Sequence, residues 1–593
     1  MKENDTISKF FIWRLQHLNP RQYLLVLSLI TGLTTGLAAV LLKNTVQYTA
    51  EFLFSKVDIR ETNLIYLAFP LAGILLTVLF IRIFIKDNIG HGITRVLWSI
   101  SRNKGSIKKH NMYSSIIGST LTVGFGGSVG LEAPVVYSGS AIGSNLARIS
   151  GLDYKQTVLL VGCGAAGAIA GIFKAPIAAT VFALEVLMLD LSMWSVIPLL
   201  LSAVTGSIVS YFLMGSEAVF SFSIQDTFNS LNVPFYILLG IICGLVSVYF
   251  SRGLARTEFL MKKIKNDYVK LAFGGIALGL LIYFLPPLFG EGYVWLKEIL
   301  GGNPQNVANG GIFYAVKDHM WYFLGFLFLV LIFKVVAVGV TTGSGGVGGV
   351  FAPSLFMGGI TGFLVSRAIN NFHFFHYVSE RNFALVGMAG FMAGVMHAPL
   401  TSIFLIAEIT NGYGLFIPLI ITSTISFLTH RYFEPYSVYT RRLAEKGELI
   451  THHKDKAVLT LLKIEEVLDR DMQTISPGKT LGELVKIITH SKRNIFPVVE
   501  LDNHFVGIIN LDDIRDIIFR QEIYHSVLIS TLVKQPPSIV FSTDTMIDVM
   551  SKFEKSKVWN LPVIDSQGHY LGMISKARVL SSYRDMMVES SEE

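Results

Sequence analysis

An acid set in a glycine-rich break between apolar segments constrains this chain more than any other feature. The run 124–130 holds four glycines in seven positions, and Leu-Glu-Ala-Pro follows it, with Glu132 as the acid and Pro134 at the end. Glycine lets the backbone approach a ligand closely, and Pro134 suits the first turn of a new helix. The free N–H groups and positive dipole at the start of that helix attract anions. Glu132 therefore occupies a position where an anion would bind.

The same construction recurs in the second part of the chain. Gly-Val-Phe-Ala-Pro occupies 349–353, and Phe351 stands in the place of Glu132, 219 residues later. Broken helices at corresponding positions of two related halves predict a binding site at the repeat interface, at mid-membrane depth. Glycines that serve only for close helix packing are the alternative interpretation.

A second matched pair follows each copy of the motif. Ala-Pro at 175–176 with Glu185 recurs as Ala-Pro at 398–399 with Glu408, and both members of the pair lie 223 residues later. We interpret Glu185 and Glu408 as residues that satisfy backbone groups or cap helices, with a direct role in transport as the alternative.

The composition predicts an integral membrane protein. Of 593 residues, 51% are hydrophobic and 15% charged, and the mean hydropathy is +0.53. The net charge of +7 includes clusters in short loops such as 102–109 and 262–265, which indicates cytoplasmic loops rather than a nucleic-acid partner. Cys163 and Cys243 lie in apolar stretches and predict neither a disulfide nor a metal site.

The apolar segments and the repeats divide the chain into regions. In order, these are a cytoplasmic lead at 1–20, an α-helical multi-pass domain at 21–445 with repeats at about 21–215 and 232–430, a linker at 446–458, two α/β units at 459–520 and 521–587, and an acidic tail at 588–593. Between Glu132 and residue 213, apolar runs of 10–14 residues predominate. Runs of this length are too short to span a bilayer and predict re-entrant or broken helices.

The C-terminal region carries a repeat of its own. Pro-Val-Val at 497–499 and Gly-Ile-Ile at 507–509 recur as Pro-Val-Ile at 562–564 and Gly-Met-Ile at 572–574, 65 residues later. Each unit is expected to form a helix, two short strands around a turn, and a second helix. The tail from Val588 is expected to be disordered.

The motifs at 90–94, 130–134 and 349–353 resemble, in this order, those of the CLC chloride channels and chloride/proton antiporters. The resemblance covers roughly residues 20–445, and the C-terminal pair is similar to two CBS domains. It implies an inverted-repeat helical fold with broken and re-entrant helices, and a homodimer with one pore per subunit. It also implies chloride or similar small anions as substrate, protons as a second substrate in the antiporters, and no required cofactor. The expected location is the cell membrane, surrounded by lipid, with the CBS domains in the cytoplasm.

The resemblance also implies the residues of an anion site. In the family, chloride is held by backbone amides at helix N-termini, a serine hydroxyl and a tyrosine hydroxyl. Here Val350 and Phe351 match the amide pair, and Glu132 matches the gating glutamate whose carboxylate occupies the external anion site. The tyrosine is Tyr439, with Tyr436 as its rival.

Several motif positions depart from the family pattern. His91 replaces the family serine between Gly90 and Gly92, and Ala133 replaces the usual glycine after the gate. His91 and Gly92 are assigned to the anion site by position. The imidazole of His91 either contacts the anion directly, which would add pH dependence, or only caps a helix.

Val186 is the departure with the largest consequence. It falls where antiporters of the family often carry the inner proton-transfer glutamate, and a buried valine cannot carry a proton. We therefore expect a channel-like or weakly proton-coupled protein, with a chloride/proton antiporter as the alternative, since some members without this acid still exchange. An enzyme is not expected, because the sequence has no nucleophile–base pair, no HExxH motif and no metal cluster.

The CBS pair suggests an adenine nucleotide as a regulatory ligand. In such modules an acid six residues after the glycine of the last strand often holds the ribose hydroxyls. Asp513 stands at that distance from Gly507, but Arg578 stands at that distance from Gly572. At most one ordinary nucleotide site is expected, and a purely structural dimerisation module is the alternative.

Overall fold

The chain folds into two compact units, Met1–Leu449 and Ile450–Glu593. A computed structural model describes residues 19–54, 65–87, 89–90, 92–189, 193–215, 228–309, 313–314, 319–371, 377–410, 413–446, 462 and 464–589. His91, nearly all of the predicted lead and nearly all of the predicted linker lie outside these residues.

The regular elements described in the first unit are helices and helical turns, apart from one isolated bridge. Its helices are α1 Pro20–Phe54, α2 Ile65–Phe80, α3 Gly92–Arg102, α4 Asn111–Gly124, α5 Glu132–Ile149, α6 Tyr154–Phe173, α7 Pro176–Glu185, α8 Met193–Met214, α9 Val233–Lys263, α10 Asp267–Phe284, α11 Tyr293–Gly301, α12 Met320–Gly343, α13 Phe351–Asn371, α14 Glu380–Met396, α15 Pro399–Ile409, α16 Phe416–Phe433 and α17 Arg441–Glu445. A π turn at Ile81–Ile85 and 3-10 turns at Ser230–Asn232, Pro286–Leu288, Pro304–Ala308 and Tyr413–Leu415 complete it. Nine helical segments of the described chain are long and apolar enough to cross a membrane. The predicted multi-pass helical fold class is confirmed.

The two halves of this unit repeat the same succession of helices. α5, α6 and α7 of the first half correspond to α13, α14 and α15 of the second half. α6 and α14 both end on a residue in the left-handed conformation, Lys174 and His397, each with a φ of 56°. In both halves the next helix then begins on a proline, Pro176 or Pro399. The repeat read from the motifs therefore extends to backbone conformation.

The prediction that the segments before residue 213 are too short to span is wrong for two of four helices, because α6 and α8 are long and apolar enough to cross a membrane, whereas α5 and α7 are not among such segments. α5, α6 and α8 have 18, 20 and 22 residues, whereas α7 has 10. The glycines serve as packing positions, because a Cβ on Gly139 would lie 2.3 Å from the carbonyl oxygen of Gly164. In the second half, a Cβ on Gly358 would lie 2.4 Å from the carbonyl oxygen of Gly387. Helices packed this closely inside a membrane protein tolerate glycines that weaken their hydropathy.

The acids that follow the two Ala-Pro pairs cap each other's helices. Glu185, at the end of α7, accepts hydrogen bonds from the amides of Leu400 and Thr401 at 3.2 and 2.8 Å, and from the Thr401 hydroxyl at 2.7 Å. Glu408, in α15, accepts from two amides in the first turn of α7 at 3.1 and 2.8 Å. The prediction that these acids satisfy backbone groups is confirmed, and the caps join the two halves reciprocally.

We expect Glu185→Ala to lower the free energy of unfolding by about 1–2 kcal/mol, because three donors at the start of α15 lose their acceptor. Glu408→Ala should cost somewhat less, since it releases two donors. Thermal unfolding of the purified protein in detergent would measure both, with exposed Glu51 replaced by Ala as the control. A Glu185→Ala protein as stable as the Glu51→Ala control would contradict the capping role.

The second unit contains the predicted α/β repeat. Its elements are α18 Ile464–Val467, β1 Leu468–Asp469, α19 Leu481–His490, β2 Ile495–Val499, β3 Phe505–Asn510, α20 Leu511–Ile514, β4 Val540–Phe541, α21 Met546–Ser556, β5 Asn560–Ile564, β6 Tyr570–Ser575 and α22 Lys576–Glu589, with 3-10 turns at Gln521–Ile523 and Ile529–Thr531. The strands form a four-stranded sheet, β1-β6-β5-β4, and a β2-β3 hairpin. The β2-β3 and β5-β6 pairs carry a register shift at the same position of the repeat. The 65-residue repeat is thereby confirmed.

The two α/β repeats meet through their hairpin turns. The Phe505 amide donates to the Gly568 carbonyl oxygen at 3.0 Å, and the Tyr570 amide donates to that of Asn503 at 2.9 Å. The rings of Phe505 and Tyr570 stack with centroids 5.9 Å apart. These contacts relate equivalent residues of the two repeats and hold them as one body.

The expectation that the C-terminal tail is disordered from Val588 is wrong in part. α22 continues to Glu589, so the expected disorder is wrong for the first two residues of the predicted tail, and residues 590–593 lie outside the described part of the chain. The final turn contains Met and Glu, which form helices readily.

Candidate anion site

Two glycine loops, one from each half, pair inside the first unit. Gly130 and Gly349 form an isolated antiparallel bridge in which each N–H donates to the other's carbonyl oxygen at 2.8 Å. A Cβ on Gly349 would lie 2.7 Å from the Cβ of Ala133, so no larger residue fits without displacement. The bridge brings together the starts of α5 and α13, whose first N–H groups have no partner within their own helices. This is an arrangement suited to an anion.

Glu132 places a carboxylate at these helix starts. It is the first residue of α5 and is 1% exposed. Its Oε1 accepts a hydrogen bond from the Tyr293 hydroxyl at 2.7 Å, while Oε2 lacks a well-formed hydrogen bond within the described structure. The backbone amide of Ala352, in the first turn of α13, also contacts the carboxylate. The side chain thus stands where the two helix starts would hold an anion.

Val350 and Phe351 lie at the start of α13 in the way an amide-donating pair requires. Val350 precedes the helix and Phe351 begins it, so their N–H groups belong to the unpaired end. The Phe351 ring is fully buried and stacks on Phe173 with centroids 5.2 Å apart. Phe351 is therefore available to a ligand through its backbone rather than through its side chain.

The third predicted motif, at 90–94, lies beside the start of α5. A Cβ on Gly92, the first residue of α3, would lie 2.6 Å from the Ala133 carbonyl oxygen, so α3 and α5 begin in contact. The Thr94 hydroxyl donates to the Tyr439 carbonyl oxygen at 3.0 Å. Tyr439 is buried, and within the described structure its hydroxyl has no hydrogen-bond partner, whereas Tyr436 is 44% exposed. The placement favours Tyr439 over its rival as the tyrosine ligand.

An open cavity of about 1180 Å³ leads to these residues, and its lining includes Gly92, Val350 and Tyr439. We name it the basic cavity for its charged lining. This comprises eight basic residues, Arg95, Lys108, Arg252, Arg256, Lys262, Arg441, Arg442 and Lys446, and four acidic ones, Asp87, Glu258, Glu434 and Glu445. Each of the four acids forms an ion pair with one of the bases. The surplus of positive charge raises the local concentration of anions.

Val186 is buried directly after Glu185, at the end of α7. Glu185, the neighbouring acid, is fixed on the first turn of α15 by the three hydrogen bonds described above. It is therefore held as a structural cap beside the position that lacks an acid. His91 lies outside the described residues.

Three charged or polar residues near Glu132, and a lysine near one of them, were missed by the sequence analysis. These are Lys43 of α1, Glu291 before α11, Tyr293 of α11 and Lys334 of α12. A signal for the acid is present in the sequence, because Gly290-Glu291-Gly292 brackets a carboxylate with glycines, as the Glu132 motif does. The lysines carry no comparable signal.

In the second unit, both oxygens of Asp513 are engaged. The Lys534 ammonium donates to Oδ1 at 2.8 Å and the Asn510 side-chain amide donates to Oδ2 at 3.1 Å. The Lys534 hydrogen bond, followed by that from Asn510, lowers the pKa of Asp513, so the carboxylate is ionised at neutral pH. A ribose would have to replace one of these donors.

Comparisons with known proteins identify the family. The voltage gated chloride channel family matches residues 72–431, and the CBS domain family matches residues 464–520 and 529–585. The chain is 27% identical to chloride channel protein CLC-f of Arabidopsis thaliana, over 72% of this chain and 60% of that protein, so the match spans less than two thirds of the relative. It is also 27% identical to the H(+)/Cl(-) exchange transporter ClcA of Vibrio cholerae, over 67% of this chain and 84% of that protein.

A solved structure supports the same fold. The crystal structure of a slow cyanobacterial Cl-/H+ antiporter superposes with a TM-score of 0.62 and 22% identity, covering 72% of this chain and 98% of that one. The resemblance to CLC proteins and to CBS domains is confirmed. The chain belongs to the voltage gated chloride channel (CLC) family, a family of anion channels and transporters rather than enzymes, and carries two CBS domains after its membrane unit.

Proposed function

We propose that this protein conducts chloride or a similar small anion across the cell membrane as a homodimer with one pathway per subunit, gated by Glu132. The observation that carries the proposal is the bridge between Gly130 and Gly349, which puts the Glu132 carboxylate at the start of α13. A carboxylate there competes with an anion for the same amides, and its protonation removes that competition. Binding by amides and hydroxyls, without a fixed full charge on the ligand, also allows the anion to leave.

We further propose that coupling to protons is weak or absent. Val186 cannot carry a proton, and Glu185 beside it is held by α15. The competing function is a chloride/proton antiporter on the same scaffold, since the relatives named above include both channels and exchangers.

Reconstitution in liposomes under a chloride gradient tests this assignment. We expect a reversal potential close to the chloride equilibrium potential, and little or no proton uptake above that of protein-free liposomes, because the inner relay acid is missing. Uphill proton movement at a fixed ratio to chloride would instead establish the antiporter. A protein that moves no anion in either assay would contradict both functions.

Three parts of the proposal rest on sequence and family alone. The CBS domains are assigned to the cytoplasm. One adenine nucleotide would bind at Asp513, where its ribose hydroxyls would replace the Lys534 ammonium as hydrogen-bond donors to the carboxylate. His91 is placed at the anion path as a titratable neighbour of the anion. No cofactor is required for conduction, and protons act on the gate.

A further inference from the structure

A five-residue segment of the second half, 289–293, lies against the loop that carries Glu132. We name it the gate-facing segment. Two of its glycines, Gly290 and Gly292, adopt left-handed conformations with φ of 58° and 91°. The Gly290 amide donates to the Gly126 carbonyl oxygen at 3.3 Å. The acid between these glycines lies beside the loop that carries Glu132.

That acid, Glu291, is hydrogen-bonded to the residue that precedes Glu132. The Leu131 amide donates to Glu291 Oε1 at 3.3 Å. Glu291 is half-buried, whereas Glu132 is buried almost completely. The two carboxylates lie within electrostatic range of each other. Of the pair, Glu291 is therefore the side chain more accessible to water.

Two lysines favour the charge on Glu291. Lys334 of α12 is fully buried and donates to the carbonyl oxygens of Leu288 and Gly290 at 3.3 and 3.0 Å. These hydrogen bonds hold its ammonium beside the backbone that precedes Glu291, within electrostatic range of that carboxylate. Lys43 of α1 is within electrostatic range of both carboxylates. Lys174 and Lys297 are within electrostatic range of Lys43, and the Tyr439 hydroxyl is within electrostatic range of Glu132.

Tyr293 acts on the gate in the opposite sense. Its hydroxyl donates to Glu132 Oε1 at 2.7 Å, and a donated hydrogen bond stabilises a carboxylate in its ionised form. A negative charge on Glu291 destabilises the same ionised form. The gate-facing segment therefore carries one residue that stabilises ionised Glu132 and one whose charge destabilises it.

We propose that Glu291 and Tyr293 are positioning residues that set the pH at which Glu132 vacates the anion site, with Glu291 raising that pH and Tyr293 lowering it. The inference rests on the proposed gating role of Glu132. It adds a pair of residues from the other half of the repeat whose effects have opposite signs.

Two nearly isosteric variants separate these effects. Glu291→Gln keeps an oxygen for the Leu131 amide and removes the charge, so the midpoint of the pH dependence of anion flux should move to lower pH by about one unit, a tenfold change in proton concentration. Tyr293→Phe keeps the ring and removes the donor, so the midpoint should move to higher pH. Chloride efflux from liposomes between about pH 4.5 and 9 would measure both shifts.

Two variants serve as matched controls. Glu298→Gln changes an acid on the same helix that bonds to Asn306 rather than to the gate loop. Tyr322→Phe changes an exposed tyrosine of α12. Both should keep the wild-type midpoint. If Glu291→Gln does not yield folded protein, Tyr293→Phe, which loses a single oxygen, tests the assignment with its own predicted sign.

The same two changes made in a Glu132→Gln protein distinguish the inference from the function on which it rests. There, neither change should move any remaining pH dependence, because the titrating gate is gone. If Glu132→Gln removes the pH dependence but the single variants leave the midpoint unmoved, or move it in the same direction, the roles of Glu291 and Tyr293 are wrong and the gate assignment stands. If Glu132→Gln keeps the wild-type pH dependence, the gate assignment fails and this inference fails with it.

Discussion

Anion flux through a Glu132→Gln protein is expected to be nearly independent of pH and, at neutral pH, to match or exceed that of the wild type under acid conditions. The glutamine has almost the same shape as the protonated acid but carries no charge, so it does not compete with an anion for the amides at the start of α13. Because an acid inside a membrane domain costs about 2.5–3.5 kcal/mol on insertion scales, its retention in the wild type indicates a function. Efflux of chloride from liposomes at several pH values measures the effect.

The control for this change is Glu298→Gln, which makes the same substitution at a half-buried site of α11 away from the glycine bridge. It should retain the full pH dependence. Thermal unfolding of both proteins would verify that they are folded. A Glu132→Gln protein that still closes at high pH with the wild-type midpoint would show that another group is the gate.

The sequence was sufficient to predict those parts of the site that rest on local patterns. Glycine loops followed by Ala-Pro predicted the starts of α5 and α13, and their spacing predicted that the two halves are related. The same signal did not predict that Gly130 and Gly349 hydrogen-bond to each other, because a bridge between distant residues leaves no local periodicity. The structure supplies that contact and, with it, the reason why the two motifs act as one site.

Other contacts depend on tertiary packing alone. Tyr293 contacts Glu132 although the two lie 161 positions apart in the sequence, and a tyrosine at a helix start has many ordinary explanations. The helix lengths were underestimated for a similar reason. Glycines in α5 and α6 were interpreted as interruptions, whereas their backbones approach a neighbouring helix, and this is decided by the partner rather than by the helix itself.

The capping acids show where a pattern does extend to tertiary structure. Glu185 and Glu408 were recognisable because each follows an Ala-Pro pair at the same distance, and a carboxylate that reaches the start of a helix can cap it. The structure assigns each acid to the helix of the other half rather than to its own. Symmetry between the halves predicted the equivalence of the two residues, and only the fold could show that the equivalence is reciprocal.

Gly349→Ala should lose anion affinity by tenfold or more, about 1.4 kcal/mol, while the protein remains folded. The added Cβ would lie 2.7 Å from the Ala133 Cβ and 3.1 Å from the Ala133 amide nitrogen, so the paired loops must separate. Separation moves the Val350 and Phe351 amides away from Glu132, Gly92 and Tyr439, and an anion then loses part of its donor set. Isothermal titration with chloride or bromide would measure the loss.

Gly301→Ala is the matched control for this last change, since no atom lies within 4 Å of a Cβ at that position and its backbone is helical. It should bind anions as the wild type does. The measurement is best made on both substitutions in the Glu132→Gln background, where no carboxylate competes for the site. Equal anion affinity in the two proteins would mean that the bridge between Gly130 and Gly349 only joins the halves. A loss confined to Gly349→Ala would mean that the bridge holds the anion donors in register.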